Sequence, residues 1–189
     1  MERRFAVGCA IVVIALAVVG VASPFLGGGY EARLARWSLI PHEPAEVLER
    51  FYAYEGAEDQ LLDPLVLGGT EVVPLVNSSV ENRDMARRLY ALTFLGIAGS
   101  ATSGPVLVRI SRDPSELTWV RFAAVKALYR IDKERAGQIA QELLDREPMD
   151  HWEEQGFRSF REDLQRMTRR TLDSSWTRTW LDALRGRHD

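Results

Sequence analysis

Two stretches of this chain, 33 residues apart, carry the same apolar pattern, and that internal echo limits the fold more than any single motif does. Moving Tyr90-Ala91-Leu92-Thr93-Phe94-Leu95-Gly96-Ile97-Ala98 along by 33 positions lands on Ala123-Ala124-Val125-Lys126-Ala127-Leu128-Tyr129-Arg130-Ile131, so Ala91 falls on Ala124, Leu95 on Leu128 and Ala98 on Ile131. The register persists: Val106 meets Ile139 and Ile110 meets Leu143, which places a second, shorter apolar helix at the same offset in both copies. Each unit reads as a helical hairpin. In the longer helix of the second copy Val120, Ala123, Ala124, Ala127, Leu128 and Ile131 follow i, i+3, i+4, i+7, i+8 and i+11, a stripe that has to be buried. Its alanines let neighbouring helices approach closely, and a period near 33 lies in the range of solenoid repeats.

The punctuation divides the chain the same way. Asp113-Pro114-Ser115-Glu116 combines a capping acid, a proline at the first helical position and a glutamate three residues after the cap, and so predicts a helix beginning there. Gly68-Gly69 and Gly99 to Gly104 break the chain where turns are needed. Hairpins are expected over roughly 58–80, 82–112 and 114–146, after a helix near 44–55. Pro64 and Pro74 make the first hairpin irregular, as terminal repeats often are.

These residues resemble HEAT-type repeats, in particular the short HEAT-like kind of bilin lyases and many bacterial adaptors. In that kind an aspartate-led turn precedes an arginine and an alanine-rich helix ending in a Leu-Gly-x-Ile-Gly-like sequence. The matches lie in Asn82 to Ala98 and Asp113 to Asp132: Arg88 and Arg121, then Leu95-Gly96-Ile97-Ala98-Gly99 and Leu128-Tyr129-Arg130-Ile131-Asp132, with Tyr129 where the pattern has glycine. The resemblance spans the repeats alone and implies a fold. The lyase activity of some relatives does not follow from it, because a fold hosts many functions.

The N-terminus carries a different signal. After Met1-Glu2-Arg3-Arg4 the run from Phe5 to Gly29 has no charged side chain, and Phe5 to Ala22 is rich in Val, Ile, Ala and Leu. At about 1.5 Å per helical residue that stretch reaches roughly 27 Å, close to the hydrocarbon thickness of a bilayer. Phe5, Ile11, Val12, Val13, Ile14, Leu16, Val18 and Val19 are the expected anchor residues. Arg3 and Arg4 favour a cytoplasmic N-terminus, which puts the C-terminal domain on the extracytoplasmic side, the periplasm in a bacterium. A cleaved signal peptide is the rival reading, since Gly20-Val21-Ala22 offers small residues before Ser23. Cys9 is not a lipidation site, because no apolar region separates it from Arg4. Past the glycine hinge, Tyr30, Leu34 and Trp37 fall on one helical face among Glu31, Arg33 and Arg36. That segment either lies along the membrane interface or forms a first packing helix.

The rest is ordinary globular protein: of 189 residues, 46% are hydrophobic and 27% charged, enough for one domain with a real core beyond the anchor. The net charge of −3 gives no general reason for nucleic acid to bind. A single cysteine excludes intrachain disulfides and cysteine-based zinc sites. The arginines, against Lys126 and Lys133 as the two lysines, hint at nucleotide composition rather than binding. His42, His151 and His188 are scattered, lack metal-binding spacing and read as surface residues. No phosphate-binding, dinucleotide-binding or serine-hydrolase motif is present, and the adjacent acids Glu58/Asp59 and Glu153/Glu154 would point apart on a helix. Asn77-Ser78-Ser79 is a glycosylation sequon, relevant only in a host that glycosylates exported proteins.

The last 40 or so residues depart from the repeat. Asp150-His151-Trp152-Glu153 opens a capped helix, and Phe157, Phe160, Leu164 and Met167 recur at helical spacing to cover the open end of the solenoid. Trp176, Trp180 and Leu184 then recur at i, i+4 and i+8 among Arg178, Arg185 and Arg187, and either pack on that end or contact a membrane or partner.

The expected architecture is all-α: a membrane anchor and hinge over 1–29, a juxtamembrane segment over 30–43, a HEAT-like solenoid of about three hairpins over 44–148 and a helical cap over 149–189. The expected function is noncatalytic protein binding at a membrane, with no cofactor, metal or nucleic acid, the bilayer and one or more proteins being the partners. The alternative is an accessory subunit of a larger membrane complex, with the membrane helix making part of the contacts. Trp176, Arg178, Trp180 and Leu184 are the candidate contact residues. A lyase-like or chaperone enzyme acting on a bound cofactor is a third, weaker class.

Overall fold

A computed structural model describes residues 42–55, 61–147 and 157–173. They belong to one compact unit, His42–Asp189, and every regular element among them is helical. The expected membrane helix and the contacts at Tyr30, Leu34 and Trp37 lie outside the described residues. Among the described residues no helix is long and apolar enough to cross a membrane.

Helix α1 (Pro44–Ala53) starts on a proline, as the sequence predicts, and buries Val47 and Phe51. The next stretch is broken as expected: α2 (Asp63–Gly68), a 3-10 turn (Gly69–Val72) and α3 (Val73–Ser79) follow one another. Pro64 and Pro74 sit in the first turns of α2 and α3, where their missing N–H has no helical partner to lose. Gly69 closes α2 with φ +64, a backbone region that side chains disfavour.

Two longer hairpins come next, α4 (Arg88–Ala98) with α5 (Gly104–Arg112), and α6 (Thr118–Ile131) with α7 (Lys133–Arg146). Of the matched apolar pairs, Ala91 and Ala124, Leu95 and Leu128, Val106 and Ile139, and Ile110 and Leu143 are buried in both copies, whereas Ala98 is buried and its match Ile131 only partly so. Helix α6 packs against α4, α5 and α7, so it buries Phe122, Val125 and Tyr129 as well as Val120, Ala124, Ala127 and Leu128 of the expected stripe, while Ala123 and Ile131 of that stripe are only partly buried. Asp132 caps α7 by accepting a hydrogen bond from the Arg135 amide. Helix α8 (Arg158–Thr168) packs on α7 and buries Leu164 and Met167.

Asp113-Pro114-Ser115-Glu116 does not open a helix. Asp113 instead accepts from both the amide and the hydroxyl of Ser115, closing a turn on itself, and α6 begins only at Thr118. Glu116 is drawn away by arginines across the hairpin, so it cannot reach back to complete a capping box. The Ser115 hydroxyl and then its amide, with Arg83 adding to them against the opposing effect of desolvation, hold the Asp113 carboxyl below the ordinary carboxylate range. A group depressed in this way stabilises the fold above its unfolded value, and that contribution is lost as pH falls through the lower folded value. In a carbon-detected NMR titration Asp113 is expected to titrate below a reference aspartate, and Ser115→Ala to move it back up. An unchanged midpoint in the variant would refute the turn's role.

Candidate functional site

Arg88 and Arg121 stand 33 residues apart, each in the first turn of its helix, and are used alike. Arg88 donates through Nε to the carbonyl of Val80, after α3, and through Nη1 and Nη2 to both oxygens of Glu116, after α5, at 2.8 and 2.7 Å. Arg121 donates through Nε to the carbonyl of Ser111, at the end of α5, and through Nη1 to Glu147, after α7. Both are buried, so each guanidinium ties the end of the preceding helix to the turn that follows its own hairpin. Exposed pairs add a fringe: Arg109 with Glu81 and Arg112 with Glu142.

The clasps fix α4 and α6 side by side, and the outer faces of these two helices make a trough. Leu89 and Thr93 of α4, one turn apart, face Trp119, Ala123 and Arg130 of α6, with Phe160 of α8 on the far side, around a hollow of about 300 Å³. A second hollow of about 410 Å³ adjoins it and shares Leu89 and Trp119, reaching to Leu117 and Glu116. Leu89, Trp119 and Leu117 remain 38%, 42% and 54% exposed, which is unusual for large apolar side chains meeting around one depression. Aromatic packing supports the floor, for Phe122 stacks on Phe160 with ring centroids 4.1 Å apart, and Phe160 stacks on Phe157.

The charge in the trough is one-sided. Lys126 meets Asp163 at 3.4 Å and lies over the Phe122 ring. Arg130 is half-buried and has no hydrogen-bond or ion-pair partner among the described residues. Desolvation by the surrounding side chains pushes its pKa below the usual guanidinium value, though a guanidinium stays protonated in a protein. In the adjoining hollow the arginines are already matched: Arg83 with Asp113, Arg88 with Glu116, and Arg87 with the carbonyl of Phe51.

The trough was not anticipated from the sequence. Trp119, Phe122 with Ala123, Lys126 and Arg130 recur at i, i+3, i+4, i+7 and i+11, a second stripe on α6 that borders the one expected in the core and shares Ala123 with it. Leu117 and Trp119 flanking the helix start were the available signal. The residues expected to make contacts, Trp176, Arg178, Trp180 and Leu184, and the anchor residues Phe5, Ile11, Val12, Val13, Ile14, Leu16, Val18 and Val19 lie outside the described residues. So do His151 and His188, whereas His42, expected on the surface, has a nearly enclosed side chain beside Glu46 at the start of α1. Among the described residues no group of three or more His, Cys, Asp or Glu could hold a metal ion. No protein-family model, curated protein or solved structure matches this chain.

Proposed function

We propose that this chain is a noncatalytic, membrane-anchored scaffold that binds another protein through a short HEAT-like solenoid on the extracytoplasmic side of a membrane. The observation that carries the reading is the exposed apolar trough across α4 and α6, where Leu89, Leu117 and Trp119 face solvent above a close-packed aromatic floor. Large apolar side chains gathered at one depression lose little entropy on binding and gain much from desolvation, and tryptophan is enriched among the residues that dominate interface energies. The solenoid reading draws support from the equivalent roles of Arg88 and Arg121, because a hairpin unit used twice needs the same clasp twice. The anchor and its orientation rest on the uncharged run from Phe5 to Ala22 behind Arg3 and Arg4.

The test is extraction of tagged full-length protein in gentle detergent, with mass spectrometry of what copurifies, for the wild type and a Leu89→Glu/Trp119→Glu variant. Both positions are partly exposed, so the variant is expected to melt close to the wild type while losing a stoichiometric partner. A partner retained by a folded variant would sink the reading.

A further inference from the structure

The trough on α4 and α6 is elongated, open and charged at one end, and these three features together select its occupant. On α6 its wall runs from Trp119 to Arg130, and at about 1.5 Å per residue that is roughly 17 Å, the length of about 11 residues of helix. It is open along this length, so whatever lies in it keeps one side in water. An acyl chain has no polar side to present, whereas an amphipathic helix does. The apolar wall suits the buried stripe of such a helix. The end of the trough holds Arg130, half-buried and without a hydrogen-bond or ion-pair partner among the described residues, beside Lys126, which meets Asp163 at 3.4 Å. In the adjoining hollow Arg83 and Arg88 are met by Asp113 and Glu116 and Arg87 donates to the Phe51 carbonyl, whereas of the two cations lining the trough itself Arg130 is the one with no counterion among the described residues.

We infer that the trough receives an amphipathic helix of a partner protein, about 11 residues long, whose apolar stripe lies on Leu89, Trp119 and Phe160 and whose Asp or Glu pairs with Arg130. This deepens the scaffold reading and rests on it. Docking desolvates a charge that the fold already holds half out of water, so a matching carboxylate contributes to affinity and fixes the direction in which the helix lies.

The probes are three synthetic 14-residue helical peptides with one leucine stripe, differing in two residues beside one end of it: glutamates, glutamines or lysines. Binding to the full-length chain in neutral phosphatidylcholine nanodiscs is read by fluorescence anisotropy. The glutamate peptide is expected to bind about tenfold more tightly than the glutamine peptide, and the lysine peptide most weakly. Arg130→Gln should erase the glutamate preference, Arg130→Glu should transfer it to the lysine peptide, and Leu89→Glu/Trp119→Glu should abolish all three. A glutamate preference that survives Arg130→Gln overturns the proposal. Peptide binding only after removal of residues 174–189 overturns it in favour of the chain's own C-terminal segment, and Arg130-dependent self-association without peptide binding overturns it in favour of a second copy. Failure of every peptide, with the copurifying protein still lost in Leu89→Glu/Trp119→Glu, refutes the acidic helix and leaves the scaffold reading standing. Loss of neither refutes both.

Discussion

Replacing Arg88 with alanine is expected to lower the unfolding free energy by about 3–5 kcal/mol, more than any exposed ion pair of this protein would. The reason lies in what remains behind. Arg88 and its partner Glu116 keep only 7% and 6% of their side-chain surface, and Glu116 places both carboxylate oxygens on Arg88. Without the guanidinium, a carboxylate stays buried with Arg83 at 3.5 Å as its remaining cationic neighbour, and the Val80 carbonyl after α3 loses its donor. The double variant Arg88→Met/Glu116→Leu removes both charges and is expected to recover most of the loss, because an apolar pair of similar volume avoids the cost of desolvating ions. Arg121→Ala should cost less. Its Nε bond is long at 3.4 Å, its Nη2 has no hydrogen-bond partner among the described residues, and Glu147 is more exposed than Glu116. Guanidinium unfolding of full-length protein in detergent, followed by circular dichroism, gives the ordering. An Arg88→Ala variant as stable as wild type, or a double variant no better than the single, would remove the clasp from the account of the fold.

Helical periodicity made the all-helical fold legible, since it is written into neighbouring residues and needs no tertiary information. The buried pairs Ala91/Ala124 and Leu95/Leu128 and the proline-started helix at Pro44 follow from spacing alone. The start of α6 was misread because its apparent capping box is used elsewhere. Asp113 is occupied by Ser115 and Glu116 by Arg88, a partner 28 residues away that no local pattern announces. The entry to α4 was hidden for a similar reason. Arg87 adopts φ +58 there, and its guanidinium reaches the Phe51 carbonyl of α1 at 2.6 Å. The trough escaped notice because periodicity marks one stripe of α6 for burial and says nothing of the stripe beside it, and because Ala123, counted in the buried stripe, lies on the border of both and lines the trough. The stripe does place Val120 inside and leaves Trp119 out, as observed, but that Leu89 of α4 also stays exposed beside Trp119 depends on how the two helices pack.

Gly96→Leu is the second substitution with a large expected effect, and Gly96→Ala the more informative one. A Cβ at Gly96 would lie 2.7 Å from the Cα of Ala127 and 3.1 Å from its Cβ, so it meets the backbone of α6, which cannot swing aside as a side-chain tip can. Alanine in place of glycine gains about 1 kcal/mol in an unconstrained helix interior. Overpacking between fixed helices costs about 1–3 kcal/mol, so Gly96→Ala is expected to be destabilising on balance, and Gly96→Leu to exceed that range. Gly104 is the control, because nothing lies within 4 Å of a Cβ built there, and Gly104→Ala should match or slightly exceed the wild type in stability. At about 2–4 °C per kcal/mol for a chain of this size, the two alanine variants should separate clearly in melting temperature. Equal melting temperatures would mean that α4 and α6 do not depend on their close approach. If they do, the variants also bear on binding: Leu89 and Thr93 stand on α4 and Trp119 and Ala123 on α6, so spreading the helices widens the trough between them. Gly96→Ala should then weaken capture of the partner protein at temperatures where it is still folded, while Gly104→Ala leaves capture unchanged, and that difference would tie the glycine of α4 to the shape of the surface as well as to its stability.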